Sequence, residues 1–409
     1  MRALLTLERH VKPQMRRLLG APVKMALSDL DNALYQQILK QATEISLNLM
    51  AIKVENRPED FLSWCNELNR LCRDKLNFDL LEPEQLPIVK KLQSLLQKGI
   101  SLNQLKMLRI TPWPIFAAFI EQHQEQVALA ERQALLHYLE GLHAIEPDHW
   151  NELDRLIFAG KHTAAHDPEV YGFDAEWFGS TRGARYFHQL FAERANEFFT
   201  ALAEIPKQGE VERSHYAAFV KAYSNIFATD LDGQASLEKP PLFPATRLLM
   251  AWRPDQFVAL TAQKVDVLCQ ALGCQKLANQ DFDNYWDELI ETLRSSAWWR
   301  QDMPESEAEQ ALWRNRAALV DVFFYSDMDT VSQSNYLKLK NRAANAPVRS
   351  ATGGGRKRSK ETAEQIVDRR LEDPSLPEYL KGRRDSLVYE VKNGKSVDQA
   401  IQLFRTIFG

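Results

Sequence analysis

Eight basic side chains, Lys338, Lys340, Arg342, Arg349, Arg356, Lys357, Arg358 and Lys360, fall in a stretch that contains no Asp or Glu. Cations at this density neutralise phosphates and release their condensed counterions. Pro347 and the run Gly353-Gly354-Gly355 interrupt the stretch, so it cannot pack and is free to follow a polyanion. Tyr336 is the one aromatic beside it, which points to backbone contact rather than base stacking. The competing readings are a solvated, solubilising linker and a strip that docks an acidic protein.

A second set of cations, Arg247, Arg253 and Lys264, stands among dense aromatics and prolines that would project them from a rigid scaffold into a ligand or partner groove. The competing role for Arg253 is to satisfy backbone carbonyls near Pro254.

Other spacings fall short of a chemistry. His162 and His166 are four apart, near His143, His149, Asp167 and Glu169, a spacing that would share one metal on a helix. Gly160 and Pro168 bracket the pair too closely for a regular helix, and there is no H-E-x-x-H. Asp230-Leu231-Asp232-Gly233 is half a calcium loop without its twelfth-position Glu and reads as an Asx turn. Glu390-Val391-Lys392 has the Glu-x-Lys of metal-dependent nucleases, but that chemistry needs strands and an upstream Asp, and helix is the expectation here. Gly394-Lys395-Ser396 ends like a phosphate loop, yet Tyr389 occupies the position of its first Gly. Neither Gly-x-Ser-x-Gly nor Gly-x-Gly-x-x-Gly occurs. No metal and no cofactor is therefore expected.

With 45% hydrophobic and 26% charged residues, the 409-residue chain has a globular composition and the length of two or three domains. No apolar run approaches membrane-spanning length, and the apolar N-terminal run breaks too early for a secretory signal. Cys65, Cys72, Cys269 and Cys274 have neither zinc nor redox spacing, which fits small buried side chains in a reducing cytosol. The net charge of −4 is unevenly spread. From Lys338 onward 16 Lys and Arg face 9 Asp and Glu, which leaves −11 on the first 337 residues. An acidic body with a basic tail suits an anionic partner.

The elements that must carry these residues read as helices. Residues 1–160 form a helical array: Ser28 caps a first helix, Pro58 opens a second and Pro87 a third that Gly99 ends, and Ser101 with Gln104 caps a short fourth. Helices resume after Pro114, and again from Pro147 to Gly160. Residues 161–337 form a central helical domain. It has a loop to Arg185, one long helix from Ala184 to Glu204, and the aromatic stretch 237–326, which holds five of the nine Trp and is the expected main core. Residues 338–360 are a basic linker. Residues 361–409 are a small helical module whose last helix Ser396 caps. The expected class is mainly α.

The series Lys239-Pro240-Pro241, Arg253-Pro254-Asp255-Gln256-Phe257 and Trp286 resembles helical proteins encoded beside bacterial restriction and phage-defence genes. The resemblance carries no catalytic motif, and it implies a bacterial, antiviral-defence setting. These readings converge on a cytoplasmic, non-catalytic accessory subunit. Its basic segment would contact nucleic acid, DNA before RNA, and its acidic body at least one protein partner, with no membrane. The alternatives are a metal-dependent nuclease or hydrolase and a pure protein scaffold.

Overall fold

The computed structural model describes residues 27–45, 61–74, 83–163, 165–166, 175–327, 362–373, 376–392 and 395–408. The fold is mainly α, and among the described residues no strand forms beyond an isolated bridge between Thr229 and Ala235. Two compact units result: one takes the described residues before Lys98 and after 361, the other those from Lys98 to Asp327.

In the first unit, α1 (Asp29–Ile45) starts where the Ser28 hydroxyl accepts the Asp31 N–H. Tyr35 on α1 packs against Phe61 and Trp64 of α2 (Phe61–Asp74). Cys65 and Cys72 are buried and no disulfide joins them; burial pushes the Cys72 thiol up to about 12.

The expected third and fourth helices are a single α3 (Leu86–Leu108). Gly99 does not end it and Ser101 does not cap a new helix. The Ser101 hydroxyl instead accepts the N–H of Tyr325, and that distant bond outweighs the local capping signal. Pro114 sits in the first turn of α4 (Trp113–Gln122), which is followed by α5 (Leu129–Leu142). A capping box of Asn151 and Asp154 opens α6 (Glu152–Phe158).

The long helix expected from Ala184 to Glu204 is two: α7 (Arg185–Glu193) and α8 (Ala195–Ala203). Arg194 breaks them with φ −125° and sends its guanidinium to the carbonyls of Ile226 and Asp230 and to Thr229, anchoring the end of α9 (Arg213–Ile226). Then come α10 (Leu242–Trp252), α11 (Val265–Leu272) and α12 (Phe282–Asn284), which runs into a π-helix, Tyr285–Ile290, and a last turn, α13 (Glu291–Arg294). A short α14 (Glu307–Arg314) precedes the fully buried 3₁₀ turn Ala318–Phe323.

One core joins Leu102 to Phe323 and includes residues on both sides of Gly160. Trp298 anchors one end of it, stacked on Phe116 at 4.7 Å and donating its indole N–H to the Leu108 carbonyl at 2.9 Å. Tyr216, Tyr223 and Tyr285 fill the other end. Each donates its hydroxyl to a backbone carbonyl, as a buried phenol must.

After residue 361 the chain forms α15 (Ala363–Leu371), α16 (Glu378–Lys381), α17 (Arg384–Lys392) and α18 (Val397–Phe408), with a core of their own from Val367 to Phe404. Ser396 and Gln399 exchange the expected capping bonds at the start of α18.

Candidate functional site

The candidate site is a cleft of about 1080 Å³ in the second unit. Its walls come from the C-terminal half of α5, the loop 207–210, the end of α10 with residues 253–256, α13, and residues 299–300 and 313–316. Lys207, Arg253, Arg294, Arg300, Arg314 and Arg316 line it, against Glu140, Glu210, Asp255 and Glu291. Three of the Trp assigned to the core by residue type, Trp252, Trp299 and Trp313, lie on these walls.

The cations divide into two groups. Arg253 is committed to structure: it forms a two-point pair with Asp255 at 2.8 Å and donates to the carbonyls of Pro206 and Gly209, which fixes the loop on the rim. Arg294 pairs with Glu210 and, at 3.2 Å, with Glu291. Lys207, Arg300, Arg314 and Arg316 have no carboxylate within ion-pairing reach among the described residues. Lys207 lies over the Trp252 ring at 5.2 Å, and Arg316 lies over Trp313 at 4.4 Å and Trp299 at 5.5 Å. Burial, with Lys207 nearby, holds the His143 imidazole below its usual pKa, so it is neutral at pH 7.

The three cations expected to share a groove are not brought together. Only Arg253 reaches the cleft. Arg247 is fully buried and donates to the carbonyls of Ile157, Phe158 and Phe178, so it caps the end of α6 from inside the core. Lys264 pairs with Asp321, which also pairs with Arg132, itself packed on Trp177 and Phe178. Burial works to raise the Asp321 pKa, but the two cations outweigh it and keep the carboxyl below its ordinary value.

The one signal for Arg316 in the sequence is Trp313-x-x-Arg316, a spacing that sets a cation beside an indole on a helical turn.

All eight cations from Lys338 to Lys360, with Asp167 and Glu169, lie outside the described residues. The His162 and His166 rings meet at 4.7 Å while His143 lines the cleft; among the described residues no three His, Cys, Asp or Glu gather as a metal site. The Asp230 carboxylate accepts the N–H groups of Asp232 and Gln234, an Asx turn as expected. Glu390 and Lys392 sit on helix α17, where side chains two apart diverge by about 200°. Glu390 pairs with Lys395, and Lys392 with Glu364 at 2.5 Å, so the tripeptide does not assemble one site. The Lys392 hydrogen bond holds the Glu364 carboxyl down to about 2.

His188 is a structural counterpart to these exposed pairs. The Thr181 hydroxyl donates to the Ala159 carbonyl, so His188 Nε2–H must donate, to Thr181 Oγ1 at 2.9 Å and the Thr181 carbonyl at 3.1 Å, and among the described residues buried Nδ1 has no hydrogen-bond partner. Burial, with Lys161 nearby, lowers this imidazole to about 4. The unfolded chain takes up the proton near pH 6.5 and the folded chain only near 4. Stability from this group is therefore complete above pH 6.5 and lost as pH falls towards 4, about 3 kcal/mol in all. Urea denaturation of His188→Gln across this range should give a shallower decline than the native chain; an unchanged slope would refute the assignment.

The chain matches no protein-family model, and no curated protein and no solved structure is detectably similar to it. Among the described residues no helix is long and apolar enough to cross a membrane.

Proposed function

We propose that this is a non-catalytic, nucleic-acid-associating accessory protein of a bacterial multiprotein system, working in the cytoplasm. In this reading residues 338–360 rest on phosphates, of DNA before RNA, while the acidic body docks a protein partner. The observation that carries it is the run of eight cations without an acid. The module that follows sharpens it. Arg370 pairs with Asp373 and Asp398, Arg384 with Asp368, Lys392 with Glu364 and Lys395 with Glu390. Those cations are answered locally, so the excess positive charge of the C-terminal region is concentrated in 338–360.

The test is duplex binding across a salt series, with the full chain and with a full-length variant carrying Gln at all eight positions. Each phosphate contact adds about 0.9 to the slope of log affinity against log salt. The variant should lose most of that slope and bind at least tenfold more weakly at low salt. Equal binding by the variant, or no binding of DNA or RNA by the native chain, would sink the proposal.

A further inference from the structure

Arg316 is 5% exposed, yet its one side-chain hydrogen bond among the described residues runs from Nη1 to the Trp313 carbonyl at 2.9 Å. Its Nε is buried with no partner. A guanidinium removed from water normally takes a carboxylate with it, because desolvating an unpaired charge is costly. Asp255, the acid that acts on Arg316 most strongly, is already held at both oxygens by Arg253. On the same cleft, His143 Nε2 is also buried and unpartnered. Neither atom is open to the cleft, but Arg316 Nη2 is not buried and has no hydrogen bond among the described residues, so a ligand in the cleft can take up donors that the fold leaves unused.

The geometry points to a binding site for an organic phosphate of nucleotide size, with phosphate oxygens on Arg316 and the base beside Trp313, the partly exposed indole of the wall. A lone carboxylate would leave most of the open cations unanswered. A phosphate carries more charge and three acceptor oxygens, and the guanidinium fork matches it. A volume of about 1080 Å³ suits a ligand of that size rather than a bare ion. The nucleotide is either free or the 5′-phosphorylated end of a strand. The inference shares no residue with the 338–360 segment and stands or falls apart from it.

Calorimetric titration of the full chain with AMP, ATP, a short 5′-phosphorylated DNA strand, inorganic phosphate and citrate tests it, with Trp fluorescence as a second readout. A mononucleotide, the phosphorylated strand or both should bind and quench fluorescence, and inorganic phosphate should bind at least tenfold more weakly. Tighter binding of the strand assigns the site to strand ends; tighter binding of AMP or ATP assigns it to free nucleotide. Arg316→Met should weaken binding at least tenfold, because it removes the cation that holds the phosphate. Arg300→Gln and Arg314→Gln, at exposed positions, should each weaken it several-fold and test the site even where Arg316→Met does not fold. Binding of citrate alone, no binding at all, or nucleotide affinity unchanged in all three variants would overturn the inference. Gln at the eight positions from Lys338 to Lys360 should leave mononucleotide affinity unchanged.

Discussion

Asp321→Asn is expected to cost about 3–5 kcal/mol in urea or thermal unfolding, the range for breaking a buried ion pair from one side. The two cations on Asp321 are not equally exposed to its loss. The Lys264 side chain is 33% exposed, although burial lowers its pKa and its ammonium lies over the Phe324 ring at 4.9 Å, whereas Arg132 is 6% exposed and held on Trp177 and Phe178. The cost is the charge stranded on both, and Arg132, which cannot give up its proton, retains its share in full. The double change Arg132→Met with Asp321→Leu should recover a large part of it, since an apolar pair of similar volume removes both charges. A single mutant within about 1 kcal/mol of the native chain would refute the account. The pH dependence has its own sign. The folded Asp321 carboxyl titrates below its unfolded value near 3.9, so its contribution is complete above that value and disappears as pH falls through the lower, folded one. Losses between pH 6.5 and 4 therefore belong to His188, with His143 and His166 acting in the same direction.

Arg247→Met should be at least as damaging, on the order of 4 kcal/mol, because the carbonyls of Phe158 and Phe178 lose their guanidinium donor inside the core and Ile157 loses one of two. Arg247→Lys should recover only part, since an ammonium cannot span three carbonyls from one stem. Gly160 is built into the same contact. It adopts φ +82°, and a Cβ there would lie 2.9 Å from Arg247 Cγ and 3.0 Å from the Gly179 carbonyl. Gly160→Ala should therefore destabilise by disturbing the clamp, and combining it with Arg247→Met should cost less than the two separately. Additive losses would show that the two positions do not share a contact.

Much of the fold was legible from local signals. The caps at Ser28 and Ser396 and the Asx turn at Asp230 depend on neighbours within a few residues, and the sequence displays those directly. Ser101 was misread because its decisive partner, Tyr325, is 224 residues away. Nothing local marks Arg194 as a break; its guanidinium finds four acceptors near the end of α9. The candidate site was legible only in part. Residue type says that Arg247, Arg253 and Arg316 are large cations near aromatics, but tertiary partners decide the rest. One became a core cap, one a rim anchor and one a buried group with donors to spare.

The π-helix at Tyr285–Ile290 carries a consequence for how the cleft can change over time. A π-turn amounts to one residue more than an α-helix of the same path. That surplus sets the phase of everything after it: Arg294 turns to Glu210 and the cleft, and Leu293 turns inward. A one-codon deletion in this segment would restore ordinary winding and rotate those side chains by about 100°. Single residues along the wall can thus be exchanged one at a time, whereas shortening this helix by one residue takes the wall apart.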